Sequence, residues 1–245
     1  MAGHWRVATV AAHRPETPTA RTLVLRVPDW PGHLAGQHVD VRLTAEDGYT
    51  AQRSYSLAAP AAGDLIEVTV QRVPDGEVSP YLVEVADVGD QIEIRGPLGG
   101  WFVWRPDDPT PVVLVAGGAG IVPLMSMVRT RRMARAKALF RLLYSLRSPA
   151  ERYYSTELGS HQAGDGGLDV FLAYTREAPE EVTRPPHRLA LSEINTHGLP
   201  PDFAPTCFVC GPTGFVESAA NALVALGHDP RRIKTERFGP SGGRP

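Results

Sequence analysis

Up to about residue 106, apolar and polar residues alternate in short runs: RTLVLRV, QHVDVRL, RSYSLA, LIEVTVQRV and DQIEIRG, separated by Pro, Gly and Asp. A period of two gives each run one apolar and one polar face, the pattern of a half-buried strand. Several such strands in succession predict an antiparallel barrel or sandwich. SPYLVEV (79–85) breaks the rhythm and predicts a helix, with Ser79 as N-cap and Pro80 at N1.

The proline-rich stretch WRPDDPTP (104–111) is the expected joint. Beyond it VVLVA is a continuous β-branched run, as in a strand buried on both faces. A helix follows, then FRLLYSL, another helix, LDVFLAY, a mixed segment, TCFVC and a last helix, FVESAANALVALG. Strands alternating with helices predict a doubly wound parallel sheet. The expected layout is an antiparallel domain over 1–106, an α/β domain over 107–238 and a flexible tail, GPSGGRP, over 239–245.

Composition changes this picture little. The 245 residues give room for two domains, and 42% hydrophobic with 21% charged is an ordinary globular balance. A net charge of −2 calls for neither nucleic acid nor an acidic membrane surface. Residues 109–128 are uncharged, but three glycines and a proline interrupt them, which fits a strand, a turn and a helix start better than a membrane span. The N-terminus has no apolar signal core, and two cysteines imply no disulfide framework, so a cytoplasmic location is expected. Cys207 and Cys210 lie three apart on a strand, hence on opposite faces, which suits packing rather than a metal site. Four thiolates are normally needed for an iron–sulfur cluster, so this stretch cannot hold one alone.

Three short motifs carry chemistry. VVLVAGGAGIVP places Gly117, Gly118 and Gly120 between a strand and a helix start, with Pro123 where a further glycine is usual. Such a turn admits a pyrophosphate to free N–H groups and the helix dipole. At the end of the second strand of such a sheet, an acidic residue suits the ribose of NAD and Arg suits a phosphorylated ribose. Here Ser148-Pro149-Ala150-Glu151 reads as a capping box that employs Glu151, leaving Arg147 and Arg152 for NADP(H). CGPTGF puts Cys210, Gly211 and Pro212 at a second turn on the carboxyl edge of the sheet. Arg53-Ser54-Tyr55-Ser56 gathers a cation, a ring and two hydroxyls where a strand runs into a turn. Finally, VRTRRMARAK (128–137) is either a solvated helix face or a patch that steers an acidic carrier.

With RSYS, GGAGIVP and CGPTGF in that order, the chain resembles the ferredoxin–NADP reductase family of flavoenzymes from about Trp5 to Phe238, most of all the single-chain reductases of bacterial oxygenase systems. The resemblance implies a flavin-binding β-barrel followed by a pyridine-nucleotide domain. It implies that Arg53 pairs with the flavin pyrophosphate, that Tyr55 packs on the isoalloxazine and that Ser56 approaches its N5, with Ser54 beside them. These roles suit a guanidinium fork, a phenol ring and a small donor. The second flavin segment corresponds to Gln71, Arg72, Gly76, Val78 and Ser79, whose backbone amides would hold the pyrophosphate. Gly96–Gly100 matches a turn closing the barrel. KTERFG resembles the family's closing segment, placing Glu236 or Phe238 beside the flavin, Glu236 as a proton relay.

The implied reaction is hydride transfer from NAD(P)H, docked at the glycine turn near Cys210, to bound FAD rather than FMN. Single electrons then pass to a separate ferredoxin-type protein or oxygenase component, since the cysteine-rich domain of many relatives has no counterpart here. Two other readings stay open: a reductase of free flavin, quinone or metal acceptors, and a flavin- and nucleotide-binding subunit without turnover.

Overall fold

A computed structural model describes residues 4–159 and 166–239; the expected tail lies outside them except for Gly239. Contacts divide the chain into two compact units. One runs up to Arg105 and includes Met125–Thr130; the other comprises Pro106–Leu124 and the residues from Arg131 on.

The first unit holds β1 (Trp5–Thr17), β2 (Ala20–Arg26), β3 (His38–Thr44), β4 (Thr50–Ser56), β5 (Leu65–Gln71) and β6 (Gln91–Leu98), in the order β4-β3-β6-β1-β2-β5. Every neighbouring pair is antiparallel. The two edges are tied by a bridge between Leu57 and Val68 and by the Ala58 N–H donating to Glu67 C=O at 2.8 Å, so the sheet closes on itself as a barrel. Its interior is the alternate residues of the strands, among them Leu23, Leu25, Val39, Val41, Val68 and Ile94, all buried.

The alternation predicts β2 to β6 but not β1. Register irregularities between Val10 and Ala12 and between Pro15 and Thr17 shift the inward face along this strand, so its period of two is lost in the sequence. SPYLVEV forms a single π-helical turn, Tyr81–Val85, closed by the Ala86 N–H on Tyr81 C=O at 2.9 Å. Ser79 does not cap it; its Oγ accepts the Val73 N–H at 3.0 Å. The segment Gly96–Gly100 is not a closing turn alone, because Gly96 and Pro97 belong to β6.

Beyond Arg105 strands and helices alternate: β7 (Val112–Gly117), α1 (Ile121–Met133), β8 (Phe140–Leu146), α2 (Ser155–Gly159), β9 (Leu168–Tyr174), α3 (Leu191–His197), β10 (Thr206–Pro212), α4 (Thr213–Ala225) and β11 (Ile233–Phe238). All neighbours are parallel, in the order β11-β10-β7-β8-β9. The chain leaves β7 toward β8 on one side and returns as β10 on the other. This switch point is where open α/β sheets bind ligands, at the carboxyl ends of their strands. Val113, Val115, Leu143, Val209, Val216 and Leu223 pack the sheet against α3 and α4.

The arginine run at the end of α1 is neither a solvated face nor a free patch at three of its positions. Arg129 donates to Ala58 C=O at 2.9 Å, Arg131 is buried with Nε on Ala138 C=O at 2.7 Å, and Arg132 pairs with Glu157 at 3.0 Å. Among the described residues no helix is long and apolar enough to cross a membrane.

Candidate functional site

The RSYS motif forms the end of β4, and the ladder sorts its side chains onto two faces. Arg53 and Tyr55 stand opposite Val41 and Val39, two core residues, so they share the face that continues the barrel interior. Tyr55 is half-buried against that core. Burial pushes its hydroxyl above the ordinary phenol range, opposed by the nearby charge of Arg53. Ser54 points the other way and donates to Asp40 at 2.6 Å; Arg95 meets the second oxygen of that carboxylate, also at 2.6 Å. Burial alone would raise Asp40, but these two hydrogen bonds outweigh it and hold the carboxyl below its usual range. Ser54 is therefore committed to the outer face, apart from Arg53 and Tyr55. Ser56 is half-buried opposite His38, and its hydroxyl has no hydrogen-bond partner among the described residues.

The loop after β5 reaches the same face as Arg53. Arg53 Nη2 donates to Glu77 at 2.8 Å, and the Tyr49 hydroxyl donates to the other oxygen of that carboxylate. Those two bonds, from Tyr49 first and Arg53 second, hold Glu77 below the ordinary carboxylate range. Within the loop the Gly76 N–H is engaged by Val73 C=O at 3.1 Å and Ser79 Oγ by the Val73 amide. The Glu77 and Val78 amides donate to no described backbone carbonyl. The Val78 side chain is core, Gln71 is exposed at the end of β5, and Arg72 pairs with Glu84 at 2.6 Å. Of the second flavin segment, then, only the exposed Glu77 amide is available to an anion; Val78 is fully buried, and the Arg72 and Ser79 side chains are held by the protein.

At the carboxyl edge of the parallel sheet the glycines divide the work. Gly117 ends β7 and a tight turn, Gly118–Gly120, leads into α1 with Pro123 in its first turn. A Cβ on Gly120 would lie 2.0 Å from Cys210 C=O, so this residue permits the turn to touch β10. Gly118 has φ +53° and open space where a Cβ would project; here the backbone is left-handed and approachable. Gly117 and Gly211 both pack on the Phe215 ring, a role of CGPTGF that only the structure discloses.

Cys210 and Glu236 are partners across β10 and β11, with Sγ 3.9 Å from Oε2. Burial pushes Glu236 up to about 7, only partly offset by the Cys210 hydrogen bond. Burial and the nearby Glu236 charge raise the Cys210 thiol well above its ordinary value. The pair is a neutral thiol beside a carboxyl able to exchange a proton near neutral pH, at the end of the sheet where ligands bind. Pro212 and Phe238 stand opposite each other two residues further along the same two strands. On its opposite face β10 buries Cys207, 3.8 Å from His228.

Past β8 the capping box is absent. Pro149–Glu151 is a three-residue 3₁₀ turn in which Ser148 makes no side-chain cap. Glu151 instead faces Arg147 at 3.8 Å, both largely exposed, because so short a turn has no N3 amide geometry to reward the reach back. Arg152 Nε is buried without a hydrogen-bond partner among the described residues.

Comparisons with known proteins agree with this division. Residues 9–103 match the oxidoreductase FAD-binding domain family and residues 114–221 the oxidoreductase NAD-binding domain family. The glycine betaine monooxygenase reductase subunit of Chromohalobacter salexigens is 31% identical over 83% of this chain and 55% of its own length. The reductase subunit of an aromatic O-demethylase from Amycolatopsis sp. is 30% identical over 84% of this chain and 61% of its own. This chain thus spans little more than half the length of the curated relatives it matches. The FAD/NAD-binding domain of nitric oxide dioxygenase from Vibrio cholerae superposes with a TM-score of 0.85 at 27% identity, over 98% of this chain and 100% of that one. An antiparallel FAD-binding domain followed by a parallel NAD-binding domain, matched by sequence and by fold, makes this chain a member of the ferredoxin–NADP reductase family of flavin-dependent oxidoreductases.

Proposed function

We propose that the chain moves hydride from NAD(P)H, NADPH in preference, to bound FAD and delivers electrons singly to a separate redox centre, a ferredoxin-type iron–sulfur protein or an oxygenase component. The observation that carries this reading is the pairing of the Arg53 cation with the Tyr55 ring on one face of β4, beside the unengaged, exposed amide of Glu77. Those groups fit a flavin with a phosphate tail: a flat apolar surface, a fork for phosphate oxygens, and a backbone donor. When bound, the flavin supplies the chemistry of accepting a hydride and releasing its electrons one at a time.

The protein's own groups do the rest. Arg53, now paired with Glu77, would hold the phosphates, and Tyr55 would orient the ring system. The Ser56 hydroxyl, without a partner among the described residues, would be a hydrogen-bond donor to the flavin ring. The left-handed turn at Gly118 and the start of α1 take the coenzyme pyrophosphate. Buried Cys210 backs the sheet edge as an uncharged thiol, and Glu236, protonated below about 7, holds or returns a proton. Arg147 and Arg152 favour a phosphorylated ribose. The acceptor's metal lies outside these residues, since two cysteines on opposite strand faces cannot hold a cluster. The names of the Chromohalobacter and Amycolatopsis relatives, reductase subunits of a monooxygenase and an O-demethylase, support an oxygenase-side acceptor.

Steady-state turnover with NADPH and either a plant-type ferredoxin or ferricyanide tests the proposal. Ferredoxin reduction at a rate comparable to ferricyanide supports it. Turnover with free flavin or quinone while ferredoxin stays oxidised contradicts it.

A further inference from the structure

The face of β4 that carries Arg53 and Tyr55 continues past the start of the strand. Ala45 N–H donates to Tyr49 C=O at 2.8 Å, one step beyond the Thr44–Thr50 pair, so Tyr49 keeps the ladder's alternation. Positions 49, 51, 53 and 55 therefore share one face. Along it stand a ring at Tyr55, a cation at Arg53, the small Ala51 and a second ring at Tyr49. At about 3.3 Å per residue, Arg53 lies about 7 Å from Tyr55 and about 13 Å from Tyr49, measured between Cα atoms.

Tyr49 is 58% exposed, unusual for a tyrosine with no core to cover, yet it is not loose. Its amide donates to Asp47 at 3.0 Å, its carbonyl accepts from Ala45, and its hydroxyl donates to Glu77. Glu77 is the carboxylate that also holds Arg53, so hydroxyl and guanidinium sit a carboxylate's width apart. A ring held at both ends but bare on its face loses little freedom when something flat covers it.

We infer that Tyr49 is the stacking platform for the adenine of FAD, and that this subsite is what selects the dinucleotide flavin over FMN. The order ring, cation, ring along one strand face reproduces the order isoalloxazine, pyrophosphate, adenine along the cofactor. The assignment rests on the flavin reading of Arg53 and Tyr55 given above and extends it to the adenosine half. Alanine replacement of a base-stacking aromatic weakens binding by about tenfold or more in other nucleotide sites.

The test titrates the flavin-stripped full chain with FAD and with FMN, following protein and flavin fluorescence. Tyr49→Ala should raise the Kd for FAD about tenfold or more and leave that for FMN within about twofold. Tyr49→Phe, which keeps the ring and loses only the hydroxyl, should stay close to wild type for FAD. An unchanged FAD affinity in Tyr49→Ala, an equal loss for both flavins, or a wild type that binds the two alike overturns the assignment. Tyr55→Ala separates this from failure of the underlying reading. It should weaken both flavins, and if it weakens neither, the flavin site itself is misplaced and the adenine subsite falls with it.

Discussion

The candidate sites in the two halves of this chain are built by opposite means. On β4 the site is made of side chains: an exposed guanidinium, a half-buried ring and a hydroxyl, with Glu77 filling in on Arg53. At the carboxyl edge of the parallel sheet it is made of backbone, a left-handed glycine and a helix start, backed by buried Cys210 and half-buried Glu236. Exposed charges are screened and contribute little to folding, so such a site is open to substitution and sensitive to salt. Backbone packed against backbone has no room to give. Substitutions on β4 should therefore change affinity and spare the fold, whereas those at the glycine turn should threaten the fold first.

The sharpest break in that contrast comes from Gly120→Ala. Its Cβ would stand 2.0 Å from Cys210 C=O, a backbone atom that cannot swing aside. A loss of about 3 kcal/mol or more is expected in chemical denaturation. Gly118→Ala, two residues away, meets nothing and should cost only the left-handed strain of about 1–2 kcal/mol. Equal costs for the two would mean that the turn does not press on β10.

Next in size is Arg53→Ala, expected to raise the Kd for FAD about tenfold or more while the melting temperature of the flavin-free chain stays put. The loss should shrink as salt is added. A variant that unfolds but keeps its flavin affinity would reverse the comparison.

Glu236 sharpens the contrast through pH. Its folded pKa of about 7 is raised above the ordinary carboxylate range, so the folded state favours the protonated form. Stability should then fall as pH rises from the ordinary carboxylate range to about 7, and level off above it. A rate that depends on the neutral acid should fall through the same upper limit. Glu236→Gln should flatten both profiles, and an unchanged rate profile would remove Glu236 from proton handling.

The smallest effect is expected at Arg147. Exposed and already facing Glu151, it should raise KM for NADPH a few-fold when changed to Ala and leave NADH alone. Equal changes for both coenzymes would end the case for a phosphorylated ribose.

What could be read from the chain beforehand follows the range of the forces involved. Alternation along β2 to β6 and the continuous apolar run of β7 are local, and they predict both sheets. The glycine turn and RSYS are local too. Partners across a ladder are not. Asp40 sits on the polar face of an ordinary strand, and only the register of β3 with β4 and β6 brings it to Ser54 and Arg95. Tyr49 and Glu77 lie 28 residues apart, and their bond depends on how a loop folds back. Likewise the arginines of α1 are polar by sequence but absorbed by Ala58, Ala138 and Glu157. The irregular first strand escapes because bulges erase the period that reveals strands, whereas a helix is legible at SPYLVEV but its π hydrogen bonding is not.

The central claim is that this chain passes hydride from a pyridine nucleotide to its own flavin. An anaerobic titration of the FAD-loaded protein with NADPH, and separately with NADH, tests it most directly. The account predicts stoichiometric bleaching of the visible flavin band, reached at lower NADPH than NADH. A bound flavin whose spectrum neither coenzyme alters would contradict it.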